Sequence, residues 1–361
     1  MNTESTKLSA KSKIPFYPLL LISPFFFWGT AMVAMKGVMP NTTPLFMAGV
    51  RLVPAGMLVL ATAMISGKPQ PKGWQAWLWI ALFALVDGVM FQGFLAEGLT
   101  RTGAGLGSVM IDSQPLAVAL MAWLLFGETI GLWGLLGLGF GIVGISLLGL
   151  PDGWILSLFQ GHLSLDGAQW GVNLVGDLFQ NGQWLMLLAS LSMAVGTVLM
   201  RYVSRHADPI AATGWHMILG GLPLFALSAQ FETEQFVHLD AANWLAMVYS
   251  TVFGSAIAYG VFFYFAASGS LTSLSSLTFL TPIFALFFGN LFLGEMLSPI
   301  QWLGVGLTLV SIYLINQRDV LAEKFQTMRQ VPVTDVLQLE QPETALIQET
   351  AQLPMQVAEQ D

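Results

Sequence analysis

Ten long apolar stretches, separated mostly by short polar links, determine what this chain can fold into. A helix needs roughly 20 mostly apolar residues to cross the hydrocarbon core of a bilayer, and each stretch is about that long. Links that contain Gly, Pro, Ser or Asn favour antiparallel neighbouring helices. The predicted spans are residues 18–39, 44–66, 75–99, 103–126, 130–149, 183–204, 209–230, 243–267, 270–293 and 299–317.

The composition agrees with a chain that folds in lipid. Only 9% of its residues are charged and its mean hydropathy is +0.69, whereas a soluble domain carries roughly 25% charged residues. The fold class predicted is therefore all-α, a polytopic membrane protein. The chain has no cysteine, which excludes disulfides and thiolate metal sites. No basic stripe is present, so nucleic acid is not an expected partner.

The predicted spans divide the chain into five parts. Residues 1–17 form an N-terminal tail. The first span lacks a small-residue cleavage site and is interpreted as a helix, not a signal peptide. The insert 150–182 is either a surface helix or an irregular loop. The C-terminal tail is rich in Gln, Glu, Thr and Pro, which predicts disorder. The remaining parts are a five-helix unit at 18–149, a second one at 183–317, and the tail at 318–361.

Lysine and arginine in the short links predict the orientation in the membrane. With the N-terminus inside, the outside links carry only Arg101, plus Lys36 near the end of the first span. The insert 150–182 then lies outside, and both termini are cytoplasmic in a bacterial-type inner or plasma membrane. The inside segments hold Lys7, Lys11, Lys13, Lys68, Lys72, Arg201, Arg205, Arg318, Lys324 and Arg329.

The chain contains an internal repeat. An offset of 167 residues aligns the two five-helix units, and the second helix of each needs an offset of 165. Because five is odd, the units would cross the membrane in opposite directions. The predicted architecture is therefore ten helices in two inverted repeats. The aligned pairs include Gly93 with Gly260, Ser108 with Ser275, Pro115 with Pro282, and Gly127-Glu128 with Gly294-Glu295.

Inverted repeats are typical of secondary transporters, in which two similar halves exchange conformations around a central site. The favoured function is export or exchange of a small metabolite, such as an amino acid, by alternating access. Two alternatives stay open. One is a membrane sensor or assembly factor that transports nothing, and the other is an intramembrane enzyme with Asp87 and Asp112 as a carboxylate pair.

The repeat unit resembles an EamA-type unit, and two copies resemble the drug/metabolite transporter superfamily. The resemblance rests on Trp28-Gly29 in the first helix, Arg51 early in the second, and Gly127-Glu128 between the fourth and fifth. It implies ten helices with cytoplasmic ends, a central cavity, and export or exchange of amino acids or other metabolites. The second unit departs from the pattern, with Val195 in place of Trp28 and His216 in place of Arg51.

Arg51, Asp87, Asp112 and His216 lie inside predicted spans, and Lys36 and Glu97 lie nearer the outer ends of theirs. Such residues usually face a partner or a water-filled cavity, because lipid does not solvate charge. Arg51 is a candidate ligand for a substrate carboxylate. Its alternative role is an ion pair with Asp112 or Glu97 that fixes packing. Asp87 or Asp112 is the candidate for proton coupling, and His216 is either a site residue or a packed histidine.

Other large or polar groups within spans are further candidates to line the cavity. They are Trp28, Gln92, Gln114, Tyr259 and Asn290. Pro115 and Pro282 occupy matching helix interiors, where a proline frees a carbonyl and favours a hinge or a simple kink.

Three features are assigned to structure. Glu128 and Glu295 are expected to favour the N-terminus of the helix that follows each, and Ser298-Pro299 to begin the last span. Gly137 and Gly141 favour close helix contact, within a protomer or in a homodimer. Motifs for nucleotide phosphates, zinc and serine hydrolases are absent. We therefore expect no enzyme activity, metal or cofactor, and as partners only a substrate, lipid and, for coupling, protons.

Overall fold

The computed structural model describes residues 17–126, 131–149, 155–156, 180–267 and 280–329, which form helices and turns without a β-strand. Nine helical stretches in these ranges are long and apolar enough to cross a membrane. Of the remaining predicted span, the helix Leu280–Leu293 is described. The chain is thus an all-α polytopic membrane protein, as predicted. The Gly127-Glu128 link, most of the insert and residues 330–361 lie outside the described ranges.

We number the helices in chain order. They are α1 (Tyr17–Val38), α2 (Pro44–Ile65), α3 (Gly73–Arg101), α4 (Ala104–Ile111 and Gln114–Phe126), α5 (Gly131–Gly149), α6 (Gly182–Val203), α7 (Pro209–Phe231), α8 (Ala241–Thr251, continued by Val252–Ile257 and Ala258–Ala267), α9 (Leu280–Leu293), α10 (Pro299–Asn316) and α11 (Arg318–Arg329). The last of these belongs to a separate compact unit that begins at Arg318.

Polar side chains define where several helices begin. The Asp208 carboxylate accepts hydrogen bonds from the backbone of Ile210 and Ala211 at 3.0 and 3.2 Å, at the start of α7. Ser298 and Gln301 form a capping box at the start of α10, so the predicted first turn there is confirmed. Each cap satisfies backbone N–H groups that the helix itself leaves without acceptors.

Contacts between the segments that connect the helices show which helix ends lie at the same end of the bundle. Asn41 of the α1–α2 connection donates to Asn243 near the start of α8, at 3.2 Å. At the opposite end, Lys68 of the α2–α3 connection lies 3.8 Å from Asp208, just before α7. Helices α1 and α6 therefore run in opposite directions through the bundle, as an inverted repeat requires. We call the Asn41 end the outer end, after the orientation that the charge distribution predicts.

The helices of the two units pack in a related pattern. α2 packs along α7, and α5 packs along α10. α1 contacts α8 and α9, and α6 contacts α3 and α4. Exchanging each helix with the one five places later leaves these pairings unchanged. The two units thus contribute equivalent helices to one core, with α5 and α10 paired beside it.

The small-residue face of α5 is used within the protomer. The hydroxyl of Ser311 in α10 donates to the Gly137 carbonyl at 2.5 Å. A Cβ atom at Gly144 would lie 2.5 Å from the hydroxyl oxygen of Thr308, so the two backbones approach closely there. Close approach through glycine is a standard way to pair membrane helices. Gly137, Gly141 and Gly144 of α5 therefore contact α10 within the protomer.

Two helices contain a π-helical segment at matching positions. In α3 the segment is Ala84–Phe91, and in α8 it is Val252–Ile257. A π-turn closes on the residue five places away instead of four, and such segments are frequent at functional sites. The sequence pattern did not predict them. They determine which side chains of α3 and α8 face the middle of the bundle.

Candidate functional site

Arg51 of α2 lies buried between α3 and α8, with 7% of its surface exposed. One terminal nitrogen, Nη1, donates to the hydroxyl of Ser255 at 3.2 Å, and Nη2 donates to the side-chain oxygen of Gln92. Its Nε atom is buried without a partner. Among the described residues no carboxylate forms an ion pair with Arg51. The alternative of a pair with Asp112 or Glu97 is therefore wrong for the described chain, and both partners of Arg51 are neutral.

Asp87 of α3 faces His216 of α7. The Nε2 atom of His216 lies 3.1 Å from the Asp87 carboxylate, and both side chains are buried. The other ring nitrogen of His216, Nδ1, is buried without a partner. Asp87 also packs against α6, because a Cβ atom at Gly196 would lie 2.8 Å from a carboxylate oxygen of Asp87. An acid and an imidazole in contact can hold one proton between them.

The π-helical segments give these two contacts their geometry. Asp87 lies within the segment of α3, and Gln92 follows directly after it. A π-turn brings residues five apart close to one face of the helix, and Asp87 and Gln92 have that spacing. Ser255 lies in the segment of α8, and its hydroxyl donates to the Ser250 carbonyl at 3.2 Å, also five residues away.

The repeat relates the two polar contacts to each other. His216 occupies in α7 the position that Arg51 occupies in α2. Arg51 bonds to the π-helical segment of α8, and His216 contacts the equivalent segment of α3. The acid is present on one side only, since the partner of Arg51 there is a serine. The site is thus symmetric in position and asymmetric in charge.

An aromatic group lies beside this site. The ring of Trp28 in α1 packs against Tyr259 and Phe262 of α8, with centroid distances of 5.4 Å to each. Tyr259 interacts electrostatically with both Arg51 and Asp87. Tyr259 therefore lies near both polar contacts, and its ring packs against the ring of Trp28.

Helix α4 is interrupted at Asp112 and Ser113, next to Pro115. Because proline lacks an N–H group, the Ile111 carbonyl loses its helical partner. The hydroxyl of Ser190 in α6 donates to that carbonyl at 3.2 Å. The Asp112 carboxylate accepts from Ser108 at 3.1 Å. The predicted freed carbonyl is thus present, and α6 satisfies it.

The remaining candidates have other partners than Arg51 and Asp87. Gln114 donates to the Thr197 hydroxyl of α6 at 2.6 Å. Asn290 is exposed and donates to the Glu295 carbonyl at 3.0 Å, so it is not part of the buried polar group. Pro282 is buried near the start of the described part of α9. The structure therefore joins five of the eleven candidates: Arg51, Asp87, Gln92, His216 and Tyr259, with Trp28 packed beside them.

Sequence reasoning missed three residues that complete the site. Ser255 accepts from Arg51, Gly196 makes room for Asp87, and Ser190 satisfies Ile111. Short hydroxyls and glycines are common in membrane helices, so none of the three is distinctive in the sequence. Gly196 does carry one signal in the sequence, since the offset of 167 residues aligns Gly29-Thr30 of the first unit with Gly196-Thr197 of the second.

Two related five-helix units around buried charged groups define a class of protein, the polytopic membrane transporters. The chain belongs to the EamA-like transporter family, whose model matches residues 16–150 and 180–317. The two matched ranges cover the two units that the offset of 167 residues aligns, so the predicted resemblance and the presence of two repeats are confirmed.

Three relatives of the chain, one of them named as a transporter, illustrate the match. The chain is 63% identical to an uncharacterized transporter of Synechocystis over 84% of its own length and 90% of the relative's. It is 53% identical to a WAT1-related chloroplast protein of Arabidopsis thaliana, over 82% of this chain and 68% of that one. It is 30% identical to the protein PecM of Dickeya dadantii, over 82% and 91% of the two chains.

The fold also matches a solved crystal structure. The TM-score is 0.56 at 16% sequence identity, with 85% of this chain and 97% of the other covered. At that identity the match concerns the fold alone, and it agrees with the all-α architecture.

Proposed function

We propose that the protein is a secondary transporter for a small metabolite that carries a carboxylate and an amine, such as an amino acid. The observation that carries the proposal is the buried guanidinium of Arg51, which bonds only to neutral groups and keeps Nε without a partner. A buried charge without a counter-charge is unfavourable in lipid unless a ligand or water reaches it. A substrate carboxylate supplies that counter-charge.

The second polar contact suits the amine of the same substrate. Asp87 is the acid in this group of residues, and His216 is its present partner. Tyr259 interacts with both Arg51 and Asp87, so the two charges act on one small region. The rings of Trp28 and Phe262 would then contact the apolar part of the substrate.

Alternating access follows from the two units. If the halves exchange conformations, the polar region between them opens to one side and then to the other. The opposite directions of α1 and α6 support this reading. In the proposed orientation both termini are cytoplasmic, the membrane is a bacterial-type inner or plasma membrane, and export or exchange is the favoured direction.

Counterflow in proteoliposomes tests the proposal. Vesicles are loaded with unlabelled amino acids, and uptake of labelled ones is followed. We expect accumulation that Arg51→Gln and Asp87→Asn abolish. The matched control is Arg101→Gln, which removes an exposed arginine that is bonded to Glu97 at the outer end of α3. Retained accumulation in Arg51→Gln would overturn the role of Arg51.

Absence of accumulation for every amino acid, from folded protein, would redirect the proposal. The sensor or assembly-factor alternative would then gain support, as would substrates of another class. An intramembrane enzyme is the least supported alternative. Asp87 and Asp112 bond to different groups, His216 and Ser108, and not to each other.

Proton coupling is a second part of the proposal, and the contact between Asp87 and His216 favours it. In this proposal the proton is carried between the Asp87 carboxylate and the His216 ring, which lie 3.1 Å apart. Arg51 and Tyr259 are the other charged or titratable groups that act on this region, and Asp112 is the alternative carrier. Uptake driven by an imposed proton gradient should fail in His216→Asn while substrate exchange persists. Gradient-driven uptake equal to that of the parent would exclude His216 from coupling.

A further inference from the structure

Glu295, in the connection between α9 and α10, holds the start of α4. Its two carboxylate oxygens accept hydrogen bonds from the backbone N–H groups of Ala104 at 2.6 Å and Gly105 at 3.0 Å. Carboxylates were expected to stabilise the helix that follows them, here α10. That expectation is wrong for Glu295, whose charge instead lies at the N-terminus of a helix in the other repeat, where the helix dipole favours it.

Glycines form a socket around this carboxylate. A Cβ atom at Gly103 or at Gly289 would lie 2.8 Å from an oxygen of Glu295. A Cβ atom at Gly105 would lie 2.9 Å from the Cα atom of Leu286 in α9. Any side chain at these positions would push the two repeats apart. The sequence is therefore fitted to bring α9 against the start of α4.

Lys36, near the end of α1, binds the end of α3, on the other side of the α3–α4 turn from Glu295. Its ammonium donates to the carbonyls of Leu99 at 2.7 Å and Thr100 at 3.4 Å, at the C-terminal end of α3. A cation is favourable there because the last carbonyls of a helix carry partial negative charge. Lys36 and Glu295 also attract each other electrostatically. The backbone before the α3–α4 turn thus binds the Lys36 cation, and the backbone after it binds the Glu295 anion.

We infer that Glu295 and Lys36 form a latch that closes the carrier at its outer end, and that its release opens the central site outwards. The α3–α4 turn would be the moving part, because Lys36 and Glu295 hold the backbone on either side of it, at the end of α3 and the start of α4. Charge-assisted hydrogen bonds to backbone groups are stronger than neutral ones, so two of them suffice to bias a two-state equilibrium. The inference rests on the proposed transport function but not on the identity of the substrate.

Accessibility of an introduced thiol measures the state of the latch. The chain has no cysteine, so a single introduced one is the sole thiol. Val109 is fully buried and lies one helical turn beyond Gly105, on the same face of α4. In Val109→Cys, the rate of reaction with a membrane-impermeant maleimide, added from outside to sealed vesicles, reports outward opening. No substrate is needed, so failure of the substrate proposal leaves this test intact.

We expect Glu295→Gln to raise that rate about tenfold, since it weakens charge-assisted hydrogen bonds that are worth more than neutral ones. Lys36→Gln should raise it less. The matched control is Glu97→Gln, which removes a half-buried carboxylate near the same turn that is bonded to Arg101. It should leave the rate unchanged.

An unchanged rate in Glu295→Gln, or an increase only with reagent added from inside, would overturn the latch and leave Glu295 as a fold-stabilising cap. If Glu295→Gln does not fold, Lys36→Gln decides alone, and Gly105→Ala, which wedges α4 away from Leu286, gives an independent second reading. Parent-like rates in both of these variants would also overturn the inference.

Discussion

The hydroxyl of Ser190 in α6 lies 3.2 Å from the carbonyl oxygen of Ile111 in α4. Pro115 removes the N–H group that would bond to this carbonyl in an uninterrupted helix. The serine of one repeat therefore compensates for the proline of the other. The Ile111 carbonyl therefore keeps a hydrogen-bond donor although α4 is interrupted beside it.

Ser190→Ala should destabilise the protein, because it leaves the buried Ile111 carbonyl without a donor. An unsatisfied buried acceptor costs about 1–3 kcal/mol. The melting temperature in detergent should fall by several degrees. The control is Ser192→Ala, since Ser192 donates only to the Leu188 carbonyl of its own helix, at 2.8 Å. Equal melting temperatures for the two variants would contradict the compensating role of Ser190.

Gly196→Ala should impair transport more than stability. The added methyl group would lie 2.8 Å from a carboxylate oxygen of Asp87 and displace that side chain from His216. We expect counterflow to fall about tenfold or more, as small misplacements of site groups commonly have effects of that order. Gly260→Ala is the control, because nothing lies within 4 Å of a Cβ atom there. Counterflow at the control level in Gly196→Ala would show that Asp87 tolerates displacement.

Gly144→Ala should weaken the pairing of α5 with α10. A Cβ atom there would lie 2.5 Å from the Thr308 hydroxyl and 2.9 Å from the Gly304 carbonyl. Overpacking of this kind typically costs about 1–3 kcal/mol. Gly139→Ala on the same helix meets nothing within 4 Å and should be neutral. Thermal unfolding of both variants in one detergent distinguishes them. If Gly144→Ala melted at the same temperature as Gly139→Ala, close packing of α5 against α10 at Gly144 would not be needed for stability.

Asp208→Ala and Asp208→Asn separate two roles of one side chain. Asparagine retains the N-cap of α7 but loses the ion pair with Lys68, whereas alanine loses both. Loss of the cap should cost about 1 kcal/mol. The pair contributes little because the lysine is exposed. We therefore expect Asp208→Asn to melt close to the parent and Asp208→Ala to melt lower. A large, salt-sensitive loss in Asp208→Asn would show instead that the ion pair dominates.

Hydropathy and the residues that begin helices predicted the bounds of several helices well, because both are properties of a short stretch of sequence. The predicted span 44–66 is observed as Pro44–Ile65, and 209–230 as Pro209–Phe231. In both, a proline at the first helical position marks the boundary. The interruption of α4 and the π-helical segments were not predicted, because apolar composition continues through them without change.

The candidate site was predictable only in its charged members. Arg51, Asp87 and His216 are distinctive since charged and titratable groups are rare in membrane helices. Their partners were not predictable, because contacts such as Arg51 with Ser255 join residues 204 apart in sequence and depend on packing. Whether these residues carry transport stays a prediction.

The two π-helical segments also make the length of a helix part of the candidate site. A π-turn closes on the residue five places away instead of four, so each segment accommodates a residue more than a regular α-helical turn does. Asp87 lies within the segment of α3 and Gln92 follows directly after it. Deleting one residue between them would restore the α-helical repeat and rotate the two side chains away from their common face, even though neither side chain had been changed.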